Sequence, residues 1–361
     1  MDSIVGITFE KWYQLLRENS FKTSPKYWGK EVTITAKSVF NSKVSRLERE
    51  EWGTQIDNAE LNNDPIFILG HWRSGTTMLQ NYLTVDPQFA TPRLADVLYP
   101  NSLVRYHSRH NGLLEQRKEG NARPMDNIQV HLASPAEDEF ALAVLTLTSP
   151  LFSWVFPQNS AYYDQFLTFK SVDPLIIEQW RHLFKYYLQK LTLTYKKQLL
   201  LKSPQHTARI HLLLKLFPQA KFIHIHRHPY NLFKSTLKLY NTAVQTSTLQ
   251  RIPKSTTSFE RISAIYNEMY DSFFDHKDTI PDANFVDIRF EELEQQPVET
   301  IQRIYESIEL DGFDTFKPLL QQEVEKTSNY QKNKYADLTD TEKDQLYDEW
   351  RRSFEYWDYK R

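Results

Sequence analysis

The 361-residue chain carries 44 Lys and Arg against 46 Asp and Glu, a formal net charge of −2, so it has no global basic surface of the kind that tracks nucleic acid and any anion-binding capacity is local. The absence of cysteine excludes disulfides, thiolate metal ligands and a thiol nucleophile, and it fits a reducing compartment. The first twenty residues, MDSIVGITFEKWYQLLRENS, lack both a basic start and an unbroken apolar stretch, and no run of about eighteen apolar residues occurs anywhere, so the expectation is a cytoplasmic protein without a transmembrane segment.

In chain order, residues 1–20 and 41–58 read as a helical N-terminal extension. Short apolar bursts at 66–69, 199–201, 222–226 and 285–288 then read as buried strands, each followed by polar residues and a segment of helical periodicity. The helices are expected at 76–84, 173–195, 206–217, 230–240, 259–274 and 297–308, with a C-terminal helix at 339–357. In the second of these, apolar side chains recur at 176, 177, 180, 183, 184, 187, 188 and 191. Strand and helix alternate as in an α/β fold, here a P-loop-like parallel sheet flanked by helices, with helical N- and C-terminal extensions. Only eight glycines, no repeats and no composition shift mark a boundary, so one domain spanning 1–361 is expected. The stretch from about 86 to 170, rich in proline and aromatics and without a sustained period, is the place for a lid or an acceptor pocket.

The stretch PIFILGHWRSGTT, residues 65–77, places a tight turn between a buried strand and a helix. The free N–H groups of the first helical turn and the positive end of its dipole make an anion site there. Gly75 lets the backbone approach a phosphate, Ser74, Thr76 and Thr77 supply hydroxyls, and Arg73 offers a bidentate clamp. The Gly70-to-Gly75 spacing matches the start of a Walker A loop, but Thr76 stands where a nucleotide kinase carries its lysine, which argues for a 5′-phosphate ligand without a triphosphate. The bland alternative is a helix capped by Ser74 after a strand, with Arg73 exposed.

A second constellation, LLLKSPQHTARIHLLLKLFPQAKFIHIHRHPYNLFKST at 199–236, contains two more strand-loop-helix units. The first presents Lys202, Ser203 and His206 at its strand end; the second presents Arg227, with Ser235 eight residues later on the following helix. An arginine at the strand end and a serine on the adjoining helix can grip a separate phosphate, at the sheet edge where open α/β sheets bind ligands.

These motifs resemble the sulfotransferase family that uses 3′-phosphoadenosine 5′-phosphosulfate, in its bacterial and tyrosylprotein-like branches, over roughly residues 64–340. The resemblance implies that Arg73, Ser74, Gly75, Thr76 and Thr77 hold the 5′-phosphosulfate and that Arg227 and Ser235 hold the 3′-phosphate. It also implies that Lys202 lies near the transferring sulfuryl group and that Phe290 packs near the adenine. The NYQKNKY segment resembles a loop that closes over the nucleotide, with Lys332 or Lys334 touching the 3′-phosphate. On this reading 1–60 is the extension, 64–310 the nucleotide-binding core and 311–361 the covering loop and C-terminal helix. His228 departs from the aspartate commoner after the arginine, and NYQKNKY lacks the glycines of the steroid and phenol branch.

Sulfuryl transfer between oxygens needs no metal, and none is expected: His224 and His226 share a strand face, but HIHRHP has no neighbouring carboxylate in sequence. The acceptor hydroxyl needs a base, and two candidates stand open. Glu137 in SPAEDEFAL is either a cleft carboxylate raised by desolvation or part of an acidic helix start, and His206 is either a base or a structural cap. The aromatics of LFSWVFPQNSAYYDQF, 151–166, are either core or a pocket for a lipid, phenol or sugar face. The transfer is expected to be in-line, to a hydroxyl or amine on a small molecule, a glycolipid headgroup or a peptide. The competing functions are a P-loop kinase and a catalytically silent nucleotide-binding protein.

Overall fold

The computed structural model describes residues 4–61, 64–110, 121–122, 129–253, 257–327 and 335–361. The chain folds into two compact units, one formed by Met1–Asn63, Thr91–Leu199 and Thr242–Ser255, the other by Asp64–Ala90, Leu200–Asn241 and Thr256–Arg361.

The strands are β1 (Ile66–Leu69), β2 (Phe89–Ala90), β3 (Asn121–Ala122), β4 (Gln129–Val130), β5 (Gln198–Lys202), β6 (Lys221–His226) and β7 (Phe285–Arg289). A five-stranded sheet runs in the order β2-β5-β1-β6-β7. Within it β5, β1, β6 and β7 pair in parallel, with Ile68 opposite both Lys202 and Ile223, and His224 opposite Asp287. All four β1 residues are buried, as expected of a central strand covered on both faces, whereas β7, at the edge, alternates. Ile66, Ile68, Leu79, Leu83, Ile223, Ile225, Ile301 and Ile304 form one core cluster between the sheet and its helices. The α/β architecture expected from the sequence is the one observed.

The other unit is mainly helical. Phe9–Glu18 and the 30-residue helix Trp28–Asp57 form an N-terminal hairpin, and Pro174–Tyr195 begins with Asp173 accepting from the Leu175 N–H. A buried ion pair holds this unit internally: Lys190 Nζ lies 2.5 Å from Glu48 Oε1 and also donates to the Pro100 carbonyl at 2.7 Å. Glu48 also accepts from the Arg105 N–H at 3.0 Å, so neither buried charge relies on a single partner. Phe152, Phe156, Tyr163 and Phe166 are buried, which makes most of the 151–166 aromatics core.

Several boundaries differ from expectation, each for a local reason. The second N-terminal helix begins at Trp28 rather than 41 because its first turns point apolar residues outward and so hide the usual period. The segment after Ser203 opens as a 3-10 turn, Pro204–Ala208, before the helix Ile210–Leu216. The C-terminal helix is interrupted at Trp350 into Asp340–Glu349 and Arg351–Tyr356.

Candidate active site

β1 delivers the chain into a turn whose two glycines are sterically required. Gly70 has φ +144°, and a Cβ there would lie 2.5 Å from the Ile225 carbonyl oxygen and 2.6 Å from Ser74 Oγ. Gly75 has φ +111° and its missing Cβ leaves room for the Phe290 ring. Gly75, not Ser74, is the N-cap of the helix Thr76–Leu83; Ser74 is fully buried within the turn and Arg73, in the left-handed region at φ 71°, is half-buried. The bland picture of a serine-capped helix beside an exposed arginine therefore does not hold. The Gly70 N–H donates to Thr207 Oγ1 at 2.7 Å, which ties the turn to the segment after β5.

The second motif meets the first at this turn. Arg73 Nε donates to Ser235 Oγ at 2.8 Å, and Arg227 Nη1 donates to the Arg73 carbonyl at 3.2 Å. Thr236 Oγ1 donates to the Trp72 carbonyl at 3.3 Å. The Arg227 guanidinium stacks over Phe290, 4.4 Å from the ring centroid, and the Tyr335 hydroxyl lies 3.0 Å from Ser235 Oγ. Burial presses the Arg227 guanidinium below its ordinary range, with Glu291 opposing that shift and Arg73 adding to it. Arginine does not lose its proton in practice, so this destabilisation favours an anionic partner. Among the described residues, Ser74 Oγ and Arg227 Nε are buried without a hydrogen-bond partner. Two buried donors at a glycine turn with two arginines fit a ligand carrying phosphate groups.

Lys202, at the end of β5 beside Ile68, is buried at the same end of the sheet. His206 is fully buried in the 3-10 turn and packs edge-on against Phe67, with ring centroids 5.2 Å apart. Glu137 belongs to the helical unit; it is half-buried and immediately precedes Asp138, the N-cap of the helix Glu139–Thr146. Its neighbour Glu139 is buried and accepts from Ser149 Oγ at 2.6 Å. Lys332 and Lys334 lie outside the described residues. The structure thus brings Arg73, Ser74, Gly75, Arg227, Ser235 and Phe290 together, with Thr76 and Thr77 opening the adjoining helix. Thr207 and Tyr335 join them; Tyr335 ends the NYQKNKY segment, whereas Thr207 is a lone hydroxyl with no periodic signature.

The histidine pair of β6 has a carboxylate after all, delivered by register from β7 rather than by proximity in sequence. His224 Nδ1 lies 2.8 Å from Asp287 Oδ1, and the Trp357 indole donates to Asp287 Oδ2 at 2.9 Å. His226 Nδ1 lies 2.8 Å from the Tyr359 hydroxyl, which donates to Glu291 Oε2 at 3.2 Å. Glu291 in turn accepts from the N–H of His228, the residue after Arg227, at 3.1 Å. The C-terminal tail is thereby hydrogen-bonded into the strand end that presents Arg227. Among the described residues no group of three His, Asp or Glu side chains is placed to hold a metal.

Comparison with known proteins agrees with this geometry. The sequence profile of the "Sulfotransferase family" matches residues 65–315. The omega-hydroxy-beta-dihydromenaquinone-9 sulfotransferase Stf3 of Mycobacterium bovis and that of Mycobacterium tuberculosis are each 30% identical over 333 residues, 92% of this chain and 84% of theirs. The fold is shared with the crystal structure of sulfotransferase STF9 from Mycobacterium avium, at 18% identity and a TM-score of 0.69 over 94% of this chain and 87% of that one. It is shared too with STF1 from Mycobacterium tuberculosis H37Rv, at 16% identity and a TM-score of 0.58 over 82% of each chain. Neither the kinase nor the silent-binder alternative is favoured by these matches. A glycine turn without the kinase lysine, joined to a strand-end arginine and helix serine, in a chain matched from 65 to 315, belongs to the sulfotransferase family and to an enzyme that transfers a sulfuryl group.

Proposed function

We propose that the donor is 3′-phosphoadenosine 5′-phosphosulfate and that the acceptor is a hydroxyl group on an apolar small molecule. The observation that carries the donor assignment is the junction of Arg73, Ser235 and Arg227, which supplies two adjoining anion-binding motifs. In this reading the N–H groups at the start of Thr76–Leu83, with Ser74, Thr76, Thr77 and Arg73, hold the 5′-phosphosulfate. Arg227 and Ser235 hold the 3′-phosphate, Phe290 packs near the adenine, and Lys332 or Lys334 contributes from the segment before Tyr335. Negative charge grows on the leaving 5′-phosphate during transfer, and fixed donors with Lys202 stabilise it without reorganisation. Glu137 or His206 takes the acceptor proton. We further propose that 1–361 works as one sulfotransferase domain.

The choice of acceptor follows the Stf3 relatives, which are omega-hydroxy-beta-dihydromenaquinone-9 sulfotransferases. No helix among the described residues is long and apolar enough to cross a membrane.

Calorimetry with 3′-phosphoadenosine 5′-phosphate and with ATP tests the donor. The expected result is micromolar or tighter binding of the former with or without magnesium and at least tenfold weaker binding of ATP. Tighter, magnesium-dependent ATP binding overturns the assignment.

A further inference from the structure

The N-terminal helical hairpin carries apolar side chains on the wrong side for a soluble helix. Along Trp28–Asp57, Ile34, Ser38, Glu48 and Ile56 are buried. Trp28, Val32, Val39 and Phe40 are instead 57%, 68%, 55% and 64% exposed. Positions 28, 32, 39 and 40, with Ala36 between them, recur at spacings of three and four, so they share one outward face. The helix Phe9–Glu18 packs alongside: the Trp12 indole donates to Thr35 Oγ1 at 2.8 Å and the Phe9 N–H donates to Ser42 Oγ at 2.9 Å. Its own Phe9 and Tyr13 are exposed, and Phe21, also exposed, meets Tyr13 edge-on at 5.8 Å. Large apolar side chains clustered on one exposed helix face, rather than scattered singly, are unusual on a surface left to water.

The charge around it is predominantly positive: residues 9–46 hold eight Lys and Arg against Glu10, Glu18 and Glu31, and Glu10 accepts from Ser42 Oγ at 2.8 Å. Residues 21–46 contain six Lys and Arg and a single acid, Glu31, in a chain whose net charge is −2. Lys22, Lys26, Lys37, Lys43 and Arg46 are exposed, and Glu31 accepts from Thr23 Oγ1 at 2.6 Å. Exposed tryptophan and phenylalanine beside lysine and arginine is the combination that lies in the headgroup region of an anionic bilayer, with rings in the acyl boundary and cations at the phosphates. A protein partner would need an acidic rim around an apolar centre; an anionic lipid surface presents both layers over its whole extent.

We propose that the hairpin face formed by Phe21, Trp28, Val32, Val39 and Phe40, with its flanking lysines, docks this enzyme on an anionic lipid surface. The docking is peripheral and does not depend on which acceptor or donor the enzyme uses.

Sedimentation with vesicles tests this without donor or acceptor present, so its outcome is separate from that of the functional reading. Phosphatidylcholine vesicles containing phosphatidylglycerol are expected to bind at least tenfold more protein than pure phosphatidylcholine vesicles, and added salt should reduce the excess. Trp28→Glu with Phe40→Glu, and separately Lys22→Glu with Lys26→Glu, should each lower the bound fraction about tenfold. All four side chains are exposed, and an unchanged circular dichroism melt confirms that the variants fold. Absence of wild-type binding, or binding that neither pair changes, overturns the proposal. A wild-type dimer in light scattering that Trp28→Glu with Phe40→Glu converts to monomer also overturns it, because the face then belongs to a second copy.

Discussion

Arg73 donates its Nε to Ser235 Oγ at 2.8 Å across 162 positions of sequence. The bond joins the turn after β1 to the helix after β6, so the two motifs are mechanically linked. Arg227 closes the junction from the other side by donating to the Arg73 carbonyl. Nucleotides that differ by one phosphate report whether a substitution acts on one motif or, through this junction, on both.

Arg227→Ala should weaken binding of 3′-phosphoadenosine 5′-phosphate by about ten- to 150-fold, since a hydrogen-bonded charge contributes roughly 1.5 to 3 kcal/mol. Binding of adenosine 5′-phosphate should change much less. Calorimetry on both nucleotides checks it, and equal losses would mean that Arg227 acts on the turn as a whole rather than on a 3′-phosphate.

Lys202→Ala should lower kcat while leaving affinity for the product nucleotide nearly unchanged, the pattern of a donor engaged mainly in the transition state. Steady-state rates at saturating donor, paired with product-nucleotide titration, make the comparison. Collapsed affinity with preserved kcat would recast Lys202 as a binding residue.

Gly75→Ala forces a side chain into the left-handed region and into the Phe290 ring. The backbone term alone costs about 1 to 2 kcal/mol, so the melting temperature and nucleotide affinity should both fall. Adding Phe290→Ala removes the collision and should recover part of the loss in melting temperature; no recovery would show that backbone strain alone is responsible.

Most of the sheet was legible in the sequence because buried parallel strands are short apolar runs bounded by punctuation, and β1, β5, β6 and β7 all have that form. Phe89–Ala90 was not, since two residues carry no period. The anion motifs were legible because Gly70, Gly75, Arg227 and Ser235 stand at fixed offsets from strand ends. Much of what pairs with them was not: Thr207 and Glu291 are each a single polar residue brought in from a different element, whereas Tyr335 ends the NYQKNKY segment. Asp287 shows the same limit, because strand register rather than sequence distance sets it beside His224. The Trp28–Asp57 helix misled by its composition, since its apolar residues face both ways.

Stability should fall as the pH drops below about 6.5. Burial holds His71 down at about 4 and His226 at about 3, with Asp287 partly offsetting the shift at His226. Both rings stay neutral in the native state where the unfolded chain has begun to bind protons, so the unfolded state holds more protons and gains with acid. Each ring contributes up to about 1.4 kcal/mol per pH unit between the unfolded value and its native one. Urea titrations between pH 7 and 5, above the titration of ordinary carboxylates, should show this slope, and His226→Gln should remove up to one proton of it. An unchanged slope in that variant would place the pH dependence elsewhere.

The acceptor's proton is the step on which the chain offers two candidates. If Glu137 takes it, Glu137→Gln keeps the size and most of the hydrogen bonding but removes basicity, and kcat should fall about 100-fold or more. Donor affinity should stay near normal, because this carboxylate is assigned to the acceptor. His206 is the control. Its ring is fully buried and packs on Phe67 of the central strand, so His206→Ala opens a cavity against the core and should lower the melting temperature. His206→Gln fills more of that space and separates packing from chemistry. A glutamine variant at 137 with ordinary kcat on a hydroxyl acceptor removes Glu137 from the mechanism. A His206→Gln variant that melts normally and binds nucleotide yet fails to turn over moves the role to His206. Loss of kcat in the Glu137 variant alone assigns proton removal to Glu137.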